Sequence, residues 1–176
     1  MRLFISCPLP EKVCAYLHHL ASHLPSATLT IPKQFDLTLK FLGEVSDDSV
    51  QKIIEAISSI CFAPFTMTLG SLGSFSDRIV KVVWVGIVPC EPLMQLQSSI
   101  DRVLCQDFLP VEKFVPHITL ARVRKIKDRA TFLSQLHSMH VDTISWEVDR
   151  CSLTQSVLNS KGAQHFILHE FLSDSK

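Results

Sequence analysis

One short pattern occurs twice in this chain and restricts the fold more than any other feature. An alternating run containing Asp36-Leu37-Thr38 is followed 81 residues later by one containing His117-Ile118-Thr119. Each run follows a helical segment, which itself follows a strand-like stretch, so the order strand, helix, alternating strand is met twice. A period this long exceeds that of solenoid repeats and predicts two matched lobes. No linker rich in Gly, Ser or Pro separates the halves, and 176 residues are enough for one sizeable core but short for two. The expectation is therefore a single bilobal domain over residues 1–176.

The remaining periodicity supports a mixed α and β class. Apolar spacing predicts four helices: Val13, Leu17, Leu20 and Leu24 after Pro10; Val50, Ile53, Ile54 and Ile57; Leu93, Leu96, Ile100 and Val103 after Pro92; and Phe132, Leu133 and Leu136 after Asp128. Ser46-Asp47-Asp48 suits the N-cap and dipole of the second. Strand character marks residues 2–7, 35–41, 65–69, 79–87, 114–121, 144–153 and 165–171. Residues 70–76, Gly-Ser-Leu-Gly-Ser-Phe-Ser, predict a loop or turn.

Composition excludes several function classes. Lys plus Arg equals Asp plus Glu at 17 each, so the formal net charge is zero, and bulk attraction to nucleic acid is ruled out while a local basic patch is not. The apolar run at residues 3–5 is too short for a signal-peptide core, and that at 79–88 is broken by Lys81 and half the length of a membrane helix, so neither export nor a membrane is expected. The cysteines Cys7, Cys14, Cys61, Cys90, Cys105 and Cys151 form no Cys-x-x-Cys pair and predict buried, reduced thiols of a cytoplasmic protein.

Residues two apart share one face of a strand. Phe35, Leu37, Leu39 and Phe41 are thus expected inside, with Asp36, Thr38 and Lys40 on the other face. Ile118 and Leu120 likewise point inward, and His117, Thr119 and Ala121 outward. Lys40 is then drawn to Asp36 as an ion pair. Each half offers one ionisable residue and one threonine hydroxyl, a pattern that solvated strand faces also carry.

Phe35-Asp-Leu-Thr-Leu-Lys-Phe-Leu-Gly-Glu44 and Val115-Pro-His-Ile-Thr-Leu-Ala-Arg122 resemble the two motifs of the 2H phosphoesterase superfamily, specifically the RNA 2′,3′-cyclic phosphodiesterases also called 2′-5′ RNA ligases. The second motif matches in full. The resemblance extends to Met1-Arg-Leu-Phe-Ile, to the stretch from Gly70 to Gly86 and to Ser152-Leu-Thr-Gln-Ser156. It implies an α+β fold of two pseudo-symmetric lobes, each an antiparallel sheet backed by helices, around a central cleft. It also implies hydrolysis of RNA 2′,3′-cyclic phosphate ends to 2′-phosphate, with 2′-5′ joining of RNA ends as a related activity. By position, His117 is the base, Thr38 and Thr119 bind phosphate oxygens, and Arg122 adds positive charge. The implied partner is RNA with a cyclic phosphate end, tRNA fragments included, acted on by a cytoplasmic monomer without cofactor or metal.

The family's first motif begins with histidine, where this chain has Asp36. An ordinary aspartate, with a pKa near ~3.9, is ionised at neutral pH, unable to donate a proton and repelled by phosphate. Three readings stay open: burial keeps the carboxyl protonated and acidic; the site binds RNA ends with turnover cut by roughly a hundred- to ten-thousand-fold; or Asp36 is an engineered or strain-specific change. A phosphodiesterase for a different cyclic phosphate is a further alternative, because the motifs define the phosphate and not its carrier. Around this core, Arg122, Arg124, Lys125, Lys127 and Arg129 form either a track for an RNA backbone or a solvated loop. Phe41 either stacks on a base or is core, and parity favours core. His18, His19 and His23 fit a solvated helix face, and His137, His140, His165 and His169 show no spacing distinct from chance.

Overall fold

The computed structural model describes residues 1–159 and 162–174. Residues 3–7 are buried on both faces, as a strand with neighbours on each side requires. That strand, β1 (Arg2–Pro8), leads through α1 (Glu11–Ser22) and the short β2 (Thr28–Thr30) to β3 (Asp36–Glu44), which carries the first motif. Helix α2 (Asp47–Ser58) and β4 (Phe65–Ser74) follow. The order then recurs as β5 (Val82–Ile87), α3 (Glu91–Val103), β6 (His117–Lys125), α4 (Arg129–Ser138) and β7 (Ser145–Val148), and a hairpin of β8 (Arg150–Asn159) and β9 (Gly162–Leu172) ends the fold.

The strand pairings are antiparallel, in the order β7-β4-β5-β6-β3-β1-β8-β9, with β2 beside β6. The two motif strands are the central pair, joined where Leu37 faces Ile118. These residues are 81 apart, so the repeat read in the sequence is also a local twofold in space. The lobes are not consecutive halves of the chain. Strand β4 leaves the first half to pair with β5, and β8 returns to pair with β1. This exchange explains why no linker separates the lobes.

The predicted helical stripes are buried: Val13, Leu17 and Leu20 in α1, Ile53 and Ile57 in α2, Leu93, Leu96 and Ile100 in α3, Phe132 and Leu136 in α4. Helix α1 packs on β6 and α3 on β3, so each of these helices supports the motif strand of the other repeat. Asp128 caps α4 by accepting from the Thr131 N–H at 3.1 Å. Ser46 caps α2 only by its backbone, since its Oγ lies 2.8 Å from Ser49 Oγ.

Several expectations need correction. Residues 70–74, read as a loop, continue β4, where Gly73 faces Trp84 and leaves room for the indole ring. The run 144–153 is two strands divided at Asp149. Strand β6 begins only at His117, because Pro116 has no N–H to give to a ladder, and it runs on to Lys125. Cys7 and Cys151 are buried, but Cys61 and Cys105 are exposed. No helix among the described residues is long and apolar enough to cross a membrane.

Candidate active site

Both motif strands change phase at the same place. In β3 the pairing with β1 passes from Thr38 to Lys40 while the partner advances one residue, so Leu39 is the extra residue of a bulge. In β6 the pairing with β5 skips Leu120 in the same way. Beyond each bulge the faces swap: Lys40 and Ala121 turn inside, and Phe41 and Arg122 turn out. Three expectations from parity are overturned. Phe41 is 67% exposed on the cleft, Ala121 is core, and Lys40 is buried away from Asp36.

Lys40 instead reaches α3 and the loop after it, donating to Asp101 Oδ1 and to the Leu109 carbonyl at 2.6 Å. Asp101 also accepts from Gln97 Nε2 at 2.7 Å and from the Val111 N–H at 3.0 Å. Burial pushes the Asp101 carboxyl up, but these hydrogen bonds, with Lys40 foremost, outweigh it and hold the group below the usual carboxylate range. Lys40 is thus a clamp between β3 and α3.

The outward residues of both motifs line one cavity of about 500 Å³: Asp36, Thr38 and Phe41 from β3, His117, Thr119, Arg122 and Arg124 from β6. Continued by one residue either way, the Leu37–Ile118 register sets Thr38 against His117 and Asp36 against Thr119. Among the described lining residues Arg2, Lys33, Arg122 and Arg124 are cationic and Asp36 alone is acidic, so a protein of zero formal net charge presents an anion-attracting cleft. The cationic run divides here: Arg122 and Arg124 face the cavity, whereas Arg129 donates to the Arg78 carbonyl at 2.7 Å. Strand β2, too short for any periodicity to mark, fixes Arg124, whose Nε donates to Thr30 Oγ1 at 3.0 Å.

His117 Nδ1 lies 2.8 Å from the Val115 carbonyl. A carbonyl only accepts, so Nδ1 carries a proton, and in the neutral ring Nε2 is the nitrogen left to serve as a general base. Phe75 meets the ring edge-on at 4.8 Å and Trp84 stands at 6.3 Å. Thr119 has no side-chain hydrogen bond among the described residues and is free to meet a phosphate. Thr38 donates to Asp36 Oδ2 at 3.0 Å.

Asp36 has a second partner that no spacing in the sequence marks. Its Oδ1 is 3.4 Å from Nδ1 of His165, on β9. The hairpin brings that histidine over the cleft, where its N–H donates to Gln34 Oε1 at 2.8 Å and its ring meets Phe4 at 4.9 Å. The remaining histidines lie elsewhere. His18, His19 and His23 are exposed on and just after α1, and the described residues contain no group of three or more His, Cys, Asp or Glu placed to hold a metal.

The exchanged antiparallel lobes and paired motif strands define the class as the 2H phosphoesterase fold. A family model described as the 2′-5′ RNA ligase superfamily matches residues 11–158, and the chain belongs to that superfamily. It is similar to the RNA 2′,3′-cyclic phosphodiesterase of Aeropyrum pernix, with 35% identity over 144 residues, 78% of this chain and 81% of that one. Among solved structures it is similar to TT0787 of Thermus thermophilus, at a TM-score of 0.83 and 25% identity, over 98% of this chain and 97% of that one. It is also similar to E. coli LigT complexed with 3′-AMP, at a TM-score of 0.80 and 25% identity, over 99% and 98% of the two chains.

Proposed function

We propose that this chain hydrolyses 2′,3′-cyclic phosphate ends of RNA, leaving a 2′-phosphate and a free 3′-hydroxyl. The observation that carries the reading is the convergence of His117, Thr38, Thr119 and Arg122 on one basic cavity. A cyclic phosphodiester is a monoanion strained by its five-membered ring, and its hydrolysis needs a base for the water, an acid for the leaving oxygen and donors for the phosphoryl oxygens. His117 Nε2 accepts the water proton, its tautomer fixed by Val115. Thr119 and Thr38 donate to phosphoryl oxygens, Thr38 by turning its hydroxyl from Asp36, and Arg122 neutralises charge gathering on them. Phe41 offers an exposed ring to the terminal base. The kinship with a named RNA 2′,3′-cyclic phosphodiesterase, and a related structure holding 3′-AMP, support RNA as the carrier of the phosphate. With an RNA 5′-hydroxyl in place of water, the same attack yields a 2′-5′ link.

The test is turnover of a short RNA bearing a 2′,3′-cyclic phosphate. The parent protein is expected to cleave it, and His117→Ala to lose roughly a hundred- to ten-thousand-fold in kcat. Tight binding by the parent with no turnover would instead make the chain an RNA-end-binding protein.

A further inference from the structure

We propose that His165 donates the proton to the leaving ribose oxygen, with Asp36 as the residue that positions it. This rests on the phosphodiesterase reading above and names the acid that reading requires. Of the described residues lining the cavity, only His117 and His165 have side chains that ordinarily exchange protons near neutral pH. His117, with Nδ1 on the Val115 carbonyl, is already used as the base in the proposed reaction. Asp36 accepts from Thr38 Oγ1 at Oδ2 and faces His165 Nδ1 with Oδ1 at 3.4 Å, so both of its oxygens are turned to partners that favour an acceptor and not a proton donor.

Three separate contacts fix His165 over the cleft. Gln34, in the loop before β3, accepts from its N–H and donates to its carbonyl, at 2.8 and 3.5 Å. Phe4 meets the ring at an interplanar angle of 67°. The Asp36 carboxylate stands 3.4 Å from Nδ1, and a carboxylate beside that nitrogen favours a proton on it and leaves Nε2 as the working position. The ring is partly covered, with 24% of its side chain exposed, and Asp36 with 18% is its counter-charge.

In the reaction, the water oxygen bonds to phosphorus while one of its protons passes to His117 Nε2. The bond from phosphorus to O3′ breaks, and O3′ takes the proton from Nε2 of the His165 imidazolium. His165 keeps its Nδ1 proton, which faces Asp36, and both histidines return to their starting forms by exchange with solvent. One water is consumed, and a 2′-phosphate monoester and a 3′-hydroxyl are formed.

The experiment compares the parent, His165→Gln, Asp36→Asn, Asp36→His and the double variant Asp36→His with His165→Gln. Each is assayed on the cyclic-phosphate RNA and on an analogue with sulfur at the bridging 3′ position, whose thiolate leaves without a proton. His165→Gln is expected to lose at least about a hundredfold in kcat on the oxygen substrate with KM little changed, and to cleave the sulfur analogue near the parent rate. Asp36→Asn is expected to behave alike with a smaller loss, also relieved by sulfur. The double variant is expected to regain activity on the oxygen substrate, since an imidazole then stands at position 36. Parent-like turnover by His165→Gln, or an equal loss on both substrates, would overturn the proposal while His117-dependent turnover kept the phosphodiesterase reading. An inert parent beside an active Asp36→His would overturn it too. If parent and Asp36→His are both inert, the phosphodiesterase reading itself fails.

Discussion

Replacing Lys40 by methionine separates a clamp from a substrate contact. The Lys40 side chain is 1% exposed and that of Asp101 13%, so the substitution strands a largely buried carboxylate. Removing one member of a buried ion pair costs about 3–5 kcal/mol. Gln97 and Val111 still donate to Asp101, which puts the expected loss near the lower end, about 3 kcal/mol. The pH dependence follows from the depressed Asp101 carboxyl. A group whose folded pKa is lowered adds stability above its unfolded value, near ~3.9, and loses it as pH falls through the folded value. Urea unfolding is therefore expected to show the full gap between parent and Lys40→Met at neutral pH and a shrinking one below about pH 4. kcat on cyclic-phosphate RNA, measured where the variant is fully folded, should stay within a few-fold of the parent. A stability loss under about 1 kcal/mol, or a lost kcat in a stably folded variant, would refute the clamp and return the ammonium to the cleft.

Three shorter predictions concern the walls of the cleft and the thiols. Phe41→Ala should raise KM for an RNA substrate by roughly 5- to 150-fold with little change in kcat, since base stacking is worth about 1–3 kcal/mol; steady-state kinetics reads this directly. Gly73→Ala puts a methyl where the Trp84 ring lies, and the displaced ring adjoins His117, so kcat should fall more than KM rises. Burial pushes the Cys7 thiol well up, aided by Cys151 and the Asp36 charge, and pushes Cys151 up to about 12, whereas Cys61 and Cys105 are exposed. A thiol reagent should thus label Cys61 and Cys105 in the native protein and reach Cys7 and Cys151 only on unfolding, as mass mapping would report.

The legible parts of this molecule were those set by local pattern. Helical stripes, the motif strands and the 81-residue repeat follow from spacing, and the repeat reappears as the Leu37–Ile118 pairing. Phase beyond Leu39 and Leu120 was not legible, because each bulge is fixed by a neighbouring strand, β1 or β5, and shows no local mark. For that reason strand parity alone puts Lys40, Phe41 and Ala121 on the wrong faces. Lys40 finds Asp101 on α3, 61 positions away, a pairing that no periodicity encodes. The place of His165 is hidden from the sequence for the same reason. It reaches Asp36 only through the exchange that returns β8 to β1 and carries β9 over the cleft.

Addition of water to a cyclic phosphate in this cleft leaves a mark on the product. The protein is incubated with cyclic-phosphate RNA in water enriched in heavy oxygen, and the RNA end is weighed by mass spectrometry. One heavy oxygen in the terminal phosphate, a 2′-phosphate product and no incorporation with His117→Ala are expected. A cyclic end that stays intact and unlabelled in the presence of bound parent protein and of Asp36→His would contradict hydrolysis at this site.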